Sequence, residues 1–152
     1  MTALLLIHAA ATLYMTGLIW FVQAVHYPLF GRVGPAGYAD YQKAHMDRTA
    51  WVTAPPMLVE AAASALLAWL ARRDPAAAGL SPSAVAAVWL GLALTAGLWV
   101  STFGFQVPEH GRLAKGYDTA SHRRLVAGNW FRTAAWTARG GLALYLIAER
   151  MS

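Results

Sequence analysis

Three histidines, one glutamate and two arginines stand where a mostly apolar chain has least reason to keep them. The last apolar stretch, Leu125–Ala148, is long enough to cross a bilayer, yet it carries Asn129, Arg132, Thr133, Trp136 and Arg139. A charge in hydrocarbon costs about 3 kcal/mol or more and is tolerated when it faces a bundle interior, a partner charge or a wet cavity. Glu60 is the lone acidic residue of the second stretch, Trp51–Ala71. His26, His45, His110 and His122 belong to the end that borders the long connections, with Gln23, Gln106 and Asn129 just inside it. His8 lies at the other end. Imidazole suits Zn, Cu and Fe, and a carboxylate can join it, so His26, His45, His110 and Glu60 are candidate ligands for a transition metal. There is no HxxxH or HExxH pair, so such a site would be assembled across helices. The spacing neither requires nor excludes it. Haem ligation by His26 and His110 is a narrower alternative, and interfacial histidines also commonly meet only headgroups and water.

These groups need elements to hold them, and the composition says which. Hydrophobic residues make up 58% of the 152, and charged residues only 12%. Four stretches (Leu4–Val25, Trp51–Ala71, Ser81–Val107 and Leu125–Ala148) each match the ~20 residues that span a hydrocarbon core as a helix. A backbone in lipid must satisfy its own hydrogen bonds, which selects helices. The expected fold is an all-α membrane protein, a bundle of four transmembrane helices in one domain over residues 1–152. The first stretch lacks a basic n-region and a small-residue cleavage site, and so reads as a span. With no cysteine, disulfides and thiolate metal sites are excluded.

The net charge of +5 resides in short segments that flank the spans. Lipid headgroups and topology explain it, and no nucleic-acid partner is expected. Seven of the twelve Lys and Arg residues lie in the first and third connections, against three on the opposite side. The positive-inside rule then places both long connections in the cytoplasm and both termini outside. The expected location is a bacterial inner membrane, crossed several times.

The chain also repeats itself. Pro28-Leu29-Phe30-Gly31-Arg32 returns as Pro108-Glu109-His110-Gly111-Arg112, Tyr38 matches Tyr117, and Trp51 matches Trp130. A two-helix hairpin duplicated in tandem, residues 1–78 and 79–152, gives two copies of one orientation about an axis along the membrane normal. Glu60 and Arg139 each fall nine residues beyond the matched tryptophan, or roughly 13 Å along a helix. They would meet at equal depth as a buried ion pair, with Arg132 as the alternative partner for Glu60. Polar residues recur at helical steps in every span, and their Ser and Thr members fit helix–helix packing. Gln23, Glu60, Gln106, Asn129, Arg132 and Arg139 call for a network or a solvated pocket. In the first connection, Tyr38, Tyr41 and His45 lie at helical steps before Pro55-Pro56. They predict a short amphipathic helix, either an interfacial anchor or a lid over a lipophilic pocket.

Val107-Pro108-Glu109-His110, Leu113, the run Asn129-Trp130-Phe131-Arg132-Thr133, and Pro28-Leu29 after the first span resemble the anthrone-oxygenase-like family of small four-helix membrane proteins. By that measure the chain looks like a divergent relative of the family or a sister group to it. The family often has Pro-Leu-Asn-Asn where Pro108-Glu109-His110-Gly111 stands, and Trp before Asn where Asn129 precedes Trp130. The resemblance implies oxidation of a lipophilic phenolic or polycyclic molecule by dioxygen, in some members without an organic cofactor. Under it, His110 or Glu60 would serve as the base, while Arg132 and Asn129 stabilise an enolate or phenolate. The histidine excess favours a metal-assisted version with Cu, Fe or Zn; otherwise no cofactor is implied. The expected partners are the bilayer, a lipophilic small molecule and, as an open possibility, further copies of the chain. The alternatives are a small transport or ligand-binding protein that uses the Glu60–Arg139 axis, and a structural subunit whose polar stripes only join helices.

Overall fold

The computed structural model describes residues 1–151, and among these every regular element is helical. Helix α1 (Thr2–Phe21) continues through a π turn at Val22–His26 into α2 (Tyr27–Leu29). Two 3-10 turns, Phe30–Arg32 and Pro35–Gly37, lead to α3 (Tyr38–Arg73). The second half follows the same order. Helix α4 (Pro82–Ser101) passes through a π turn at Thr102–Gln106 into α5 (Val107–Leu113), and a connection leads to α6 (Thr119–Met151).

The π turns start 80 residues apart, and Pro28 and Pro108 each fall two residues beyond them. Proline has no N–H for the carbonyl four residues back. The wider ladder just ahead, with Tyr27 N–H on Val22 O and Val107 N–H on Thr102 O, absorbs the change of register.

Three segments are long and apolar enough to cross a membrane: Thr2–Arg32, Pro35–Arg73 and Pro82–Leu113. Helix α6 is as long but less apolar, because Arg132 and Arg139 sit in its middle. The separate amphipathic helix expected over Tyr38–His45 does not exist as such. It is the first part of α3, which runs unbroken through Pro55 and Pro56. Neighbouring packing and Ser/Thr side chains let a buried helix keep its proline positions; here the Thr53 hydroxyl donates to Thr49 O at 2.9 Å, one turn before the prolines.

Helix α1 packs on α3 and α6, and α4 packs on the same two helices, so the four long helices close a ring. Apolar and polar layers alternate along it. Leu5, Leu67, Ala87 and Leu146 fill one end; Met15, Ile19, Met57, Leu98 and Trp136 the middle; Tyr27, Phe30, Tyr38, Leu113 and Leu125 the other end. Glu60, Ser64, Thr95 and Arg139 lie between the first two layers, and Gln23, Asn129 and Arg132 between the last two, all buried. The outer surface is apolar, with Leu6, Leu58, Leu66, Val100 and Phe103 exposed.

Two acidic residues secure the start of α6. The Asp118 carboxylate caps it, accepting from Ser121 N at 2.7 Å. Hydrogen bonds from the Ser121 side chain and backbone hold the Asp118 carboxyl below its ordinary range. This contribution is present above the unfolded carboxyl's pKa and is lost as pH falls through the lowered value. Arg124 grips both oxygens of Glu109 at 2.9 and 3.2 Å, tying α5 to α6.

Helices α1 and α6 approach closely at Thr16 and Gly140. Thr16 Oγ1 donates to Trp136 O at 2.9 Å, and a Cβ placed on Gly140 would stand 3.3 Å from Thr16 Oγ1. Gly140→Leu should therefore force the two helices apart and cost about 1–3 kcal/mol. The check is a lower thermal midpoint in detergent than that of Gly141→Leu, where no atom lies within 4 Å of the added Cβ.

Candidate functional site

Two polar centres occupy the two polar layers, and they differ in one respect: the deeper one is closed. Arg139 forms an ion pair with Glu60 and donates to the Gly91 carbonyl. Its Nη2 also lies 3.0 Å from His8 Nε2 and 3.0 Å from Ser64 Oγ. Thr95 Oγ1 donates to Glu60 Oε1 at 3.4 Å. The pair expected from the repeat is thus present, with Arg139 rather than Arg132 as the partner of Glu60. Beside it lies a void of only about 10 Å³, roughly enough for one water.

This arrangement corrects the role given to Glu60. His45 and Glu60 share α3 but are fifteen residues apart, or roughly 22 Å along the axis. Glu60 cannot complete a ligand set with the histidines, nor act as a base among them.

The second centre opens onto a cavity of about 380 Å³ between α1, α3 and the α4–α5 segment. That volume is in the range of small-molecule pockets. Met15, Ile19, Met57, Leu58, Trp99 and Phe103 form its apolar part. Tyr27, His45, Thr49, Gln106, His110 and Arg132 supply its polar part.

Arg132 is set by a short chain of amides. Gln23 Oε1 accepts from Asn129 Nδ2 at 2.8 Å, and Asn129 Oδ1 accepts from Arg132 Nη1 at 3.2 Å. Asn129 is fully buried and does not line the cavity, so it orients Arg132 and does not touch a ligand. The Tyr27 hydroxyl lies beside the guanidinium. Among the described residues, no carboxylate is within ion-pairing distance of Arg132. Its Nε has no partner, and neither has the buried Gln106 Oε1 of the cavity wall.

The histidines do come together. His26 Nε2 and His45 Nδ1 are 2.9 Å apart, with Thr49 Oγ1 3.1 Å from the same His45 nitrogen. The His45 and His110 ring centroids are 5.3 Å apart. His110 Nε2 is 3.0 Å from the Tyr27 hydroxyl, and its Nδ1 is 2.7 Å from the Gln42 amide. The two ends of an amide are interchangeable in such an assignment. With the Gln42 oxygen toward Nδ1, that nitrogen carries the proton and Nε2 accepts from Tyr27. His122 stands apart, donating Nε2–H to the Tyr27 carbonyl at 2.7 Å. These nitrogens face one another and their neighbours, not a common point. Among the described residues, no group of three or more His, Asp or Glu side chains is arranged to hold a metal ion.

Sequence reading missed Tyr27 and Gln42, the two partners of His110. Gln42 had a signal: with Tyr38 and His45 it forms an i, i+4, i+7 series on one face of α3.

Removing one member of a buried pair strands the other charge and costs about 3–5 kcal/mol. Glu60→Gln should therefore lower the thermal midpoint sharply, and adding Arg139→Met should recover most of the loss. Equal midpoints for Glu60→Gln and the parent chain would show that Arg139 is stabilised by its other partners.

No family model matches the chain, and neither does any curated protein or solved structure.

Proposed function

We propose that this chain is a four-span membrane protein that binds a lipophilic, weakly acidic small molecule in the 380 Å³ cavity and oxidises it with dioxygen. The class of reaction is the one implied by the anthrone-oxygenase resemblance. Helix α6 serves as the fourth span in this reading, because its two arginines face the interior and not lipid.

One observation carries the proposal. Arg132 is buried at the polar end of an apolar cavity, and among the described residues it has no carboxylate partner. An uncompensated guanidinium there is costly, and a ligand that becomes anionic supplies the missing counter-charge. The same charge lowers the energy of an enolate or phenolate as it forms.

The residues divide the work. Arg132 meets the developing oxyanion, while the Tyr27 hydroxyl passes its proton to His110 Nε2 and takes up the one that leaves carbon. Asn129 and Gln23 hold Arg132 in place, and Gln42 sets the tautomer of His110. An activated methylene loses a proton to this relay, and the resulting carbanion adds dioxygen at carbon. The peroxide then loses water with the second C–H proton. One methylene and one dioxygen thus give one ketone and one water: carbon is oxidised by four electrons, and dioxygen is reduced by the same number. No metal is needed for this balance.

Anthrone is a suitable probe, because its methylene is acidic and its ketone product absorbs strongly. The expected result is dioxygen uptake equal to ketone formed, above the rate in protein-free detergent. Arg132→Gln should reduce that rate by about 100-fold, and Tyr27→Phe should reduce it by a similar factor. If Arg132→Gln leaves both turnover and binding of the probe unchanged, the proposal is wrong.

A further inference from the structure

The wall of the cavity is not continuous. Helices α3 and α4 pack closely at the Glu60 level, where Thr95 Oγ1 lies 3.5 Å from Ser64 Oγ, and in the adjoining layer of Leu67, Ala68, Ala87 and Val88. Toward the histidine end they part. The Thr102–Gln106 turn packs on α4, α5 and α6 and makes little contact with α3. The separation has a local cause on each side: Pro55-Pro56 in α3 and the π turn that widens the α4–α5 segment.

The residues along this gap line the cavity and also face outward. Leu58 is 58% exposed and Phe103 61%, with Val107 and Ala54 exposed beside them. The surface around them is apolar as well, through Val52, Val59, Val100 and Phe105. The opening therefore faces the belt that the proposed spans present to hydrocarbon. Of the charge and hydrogen-bonding groups of the cavity, Arg132 and Tyr27 are buried and His110 is half-buried.

We infer that the ligand is a single-headed amphiphile: a phenol or enol ring lodged at Arg132, with a hydrocarbon tail that leaves through the Leu58–Phe103 gap into the bilayer. This rests on the lipophilic-acid reading of the cavity and narrows its substrate class. A tail that stays in lipid keeps its favourable transfer energy and loses little rotational freedom, while the acidic ring alone is desolvated. A ligand of this shape would reach the site sideways from the membrane, without crossing the aqueous connection.

The chain contains no cysteine, so the gap can be closed selectively. Leu58→Cys with Phe103→Cys places one thiol on each lip, and a bifunctional maleimide bridges them in nanodiscs. Ala54→Cys with Val107→Cys offers a second pair of lipid-facing positions should the first disturb the fold. The readout is the rise in thermal midpoint caused by 3-pentadecylphenol or 3-ethylphenol, compared at equal mole fraction in the lipid.

With the gap open, both phenols should raise the midpoint, and Arg132→Gln should abolish the rise. With the gap bridged, 3-pentadecylphenol should lose its effect, an affinity drop of about tenfold or more, while 3-ethylphenol keeps its own. Equal stabilisation of bridged and open protein by 3-pentadecylphenol overturns the tail assignment and leaves the cavity reading standing. Loss of both phenols on bridging also overturns it, because the gap would then admit the ring itself. If neither phenol stabilises the open protein, or Arg132→Gln changes nothing, the lipophilic-acid reading fails along with it.

Discussion

A guanidinium buried among apolar helices must find an anion or strong acceptors, and this chain buries two of them on one helix. Arg132 and Arg139 are two turns apart on α6, and they meet the requirement in opposite ways. Arg139 has its charge paired from within, by Glu60, with the Gly91 carbonyl and Ser64 as further acceptors. Arg132 meets only neutral partners, the Asn129 amide oxygen and the Tyr27 hydroxyl, and otherwise opens onto a cavity. A closed pair tends to lock helix positions, and an open charge is one that a ligand can complete. The layered interior follows from keeping these two centres apart, with Met15, Ile19, Met57, Leu98 and Trp136 between them.

The room for the cavity comes from irregular helices. Both π turns and the Pro55-Pro56 pair lie near its walls, so the backbone departs from regular α geometry around the open site. The closed centre, by contrast, is held by uninterrupted stretches of α1, α3, α4 and α6. π turns inside α-helices are common at functional sites, because the extra residue re-aims side chains and loosens local packing. Here they carry Gln23, His26 and Gln106. Gln23 aligns the Asn129–Arg132 chain, and Gln106 faces the cavity.

Much of this was legible in the residues. The Glu60–Arg139 pair could be read from the hairpin alignment because both residues keep a fixed distance along a helix from Trp51 and Trp130. Both tryptophans face outward in the structure. The gathering of His26, His45 and His110 was legible from depth, although His122, read at the same depth, stands apart on the Tyr27 carbonyl. Other readings failed for physical reasons. Pro55-Pro56 looked like a helix end, because proline removes backbone donors; packing on both sides of α3 carried the helix through. Glu60 looked like a companion of the histidines because both are polar groups in an apolar chain, but helical rise keeps them roughly 22 Å apart on the same rod.

The sequence by itself determined the helical class, the presence of segments long and apolar enough to cross a membrane, and the strong polar groups that an apolar chain has to satisfy. Hydropathy and helical spacing are local properties, and they survive without knowledge of neighbours. Only the tertiary structure decided that the other arginine, Arg132, is left without a carboxylate and opens onto a cavity. It also brought Tyr27 and Gln42 to the two nitrogens of His110, from helices far apart in the chain. Partner choice between buried groups depends on how the helices rotate and approach. That is set by contacts such as Gly140 against Thr16, which no single stretch of sequence contains.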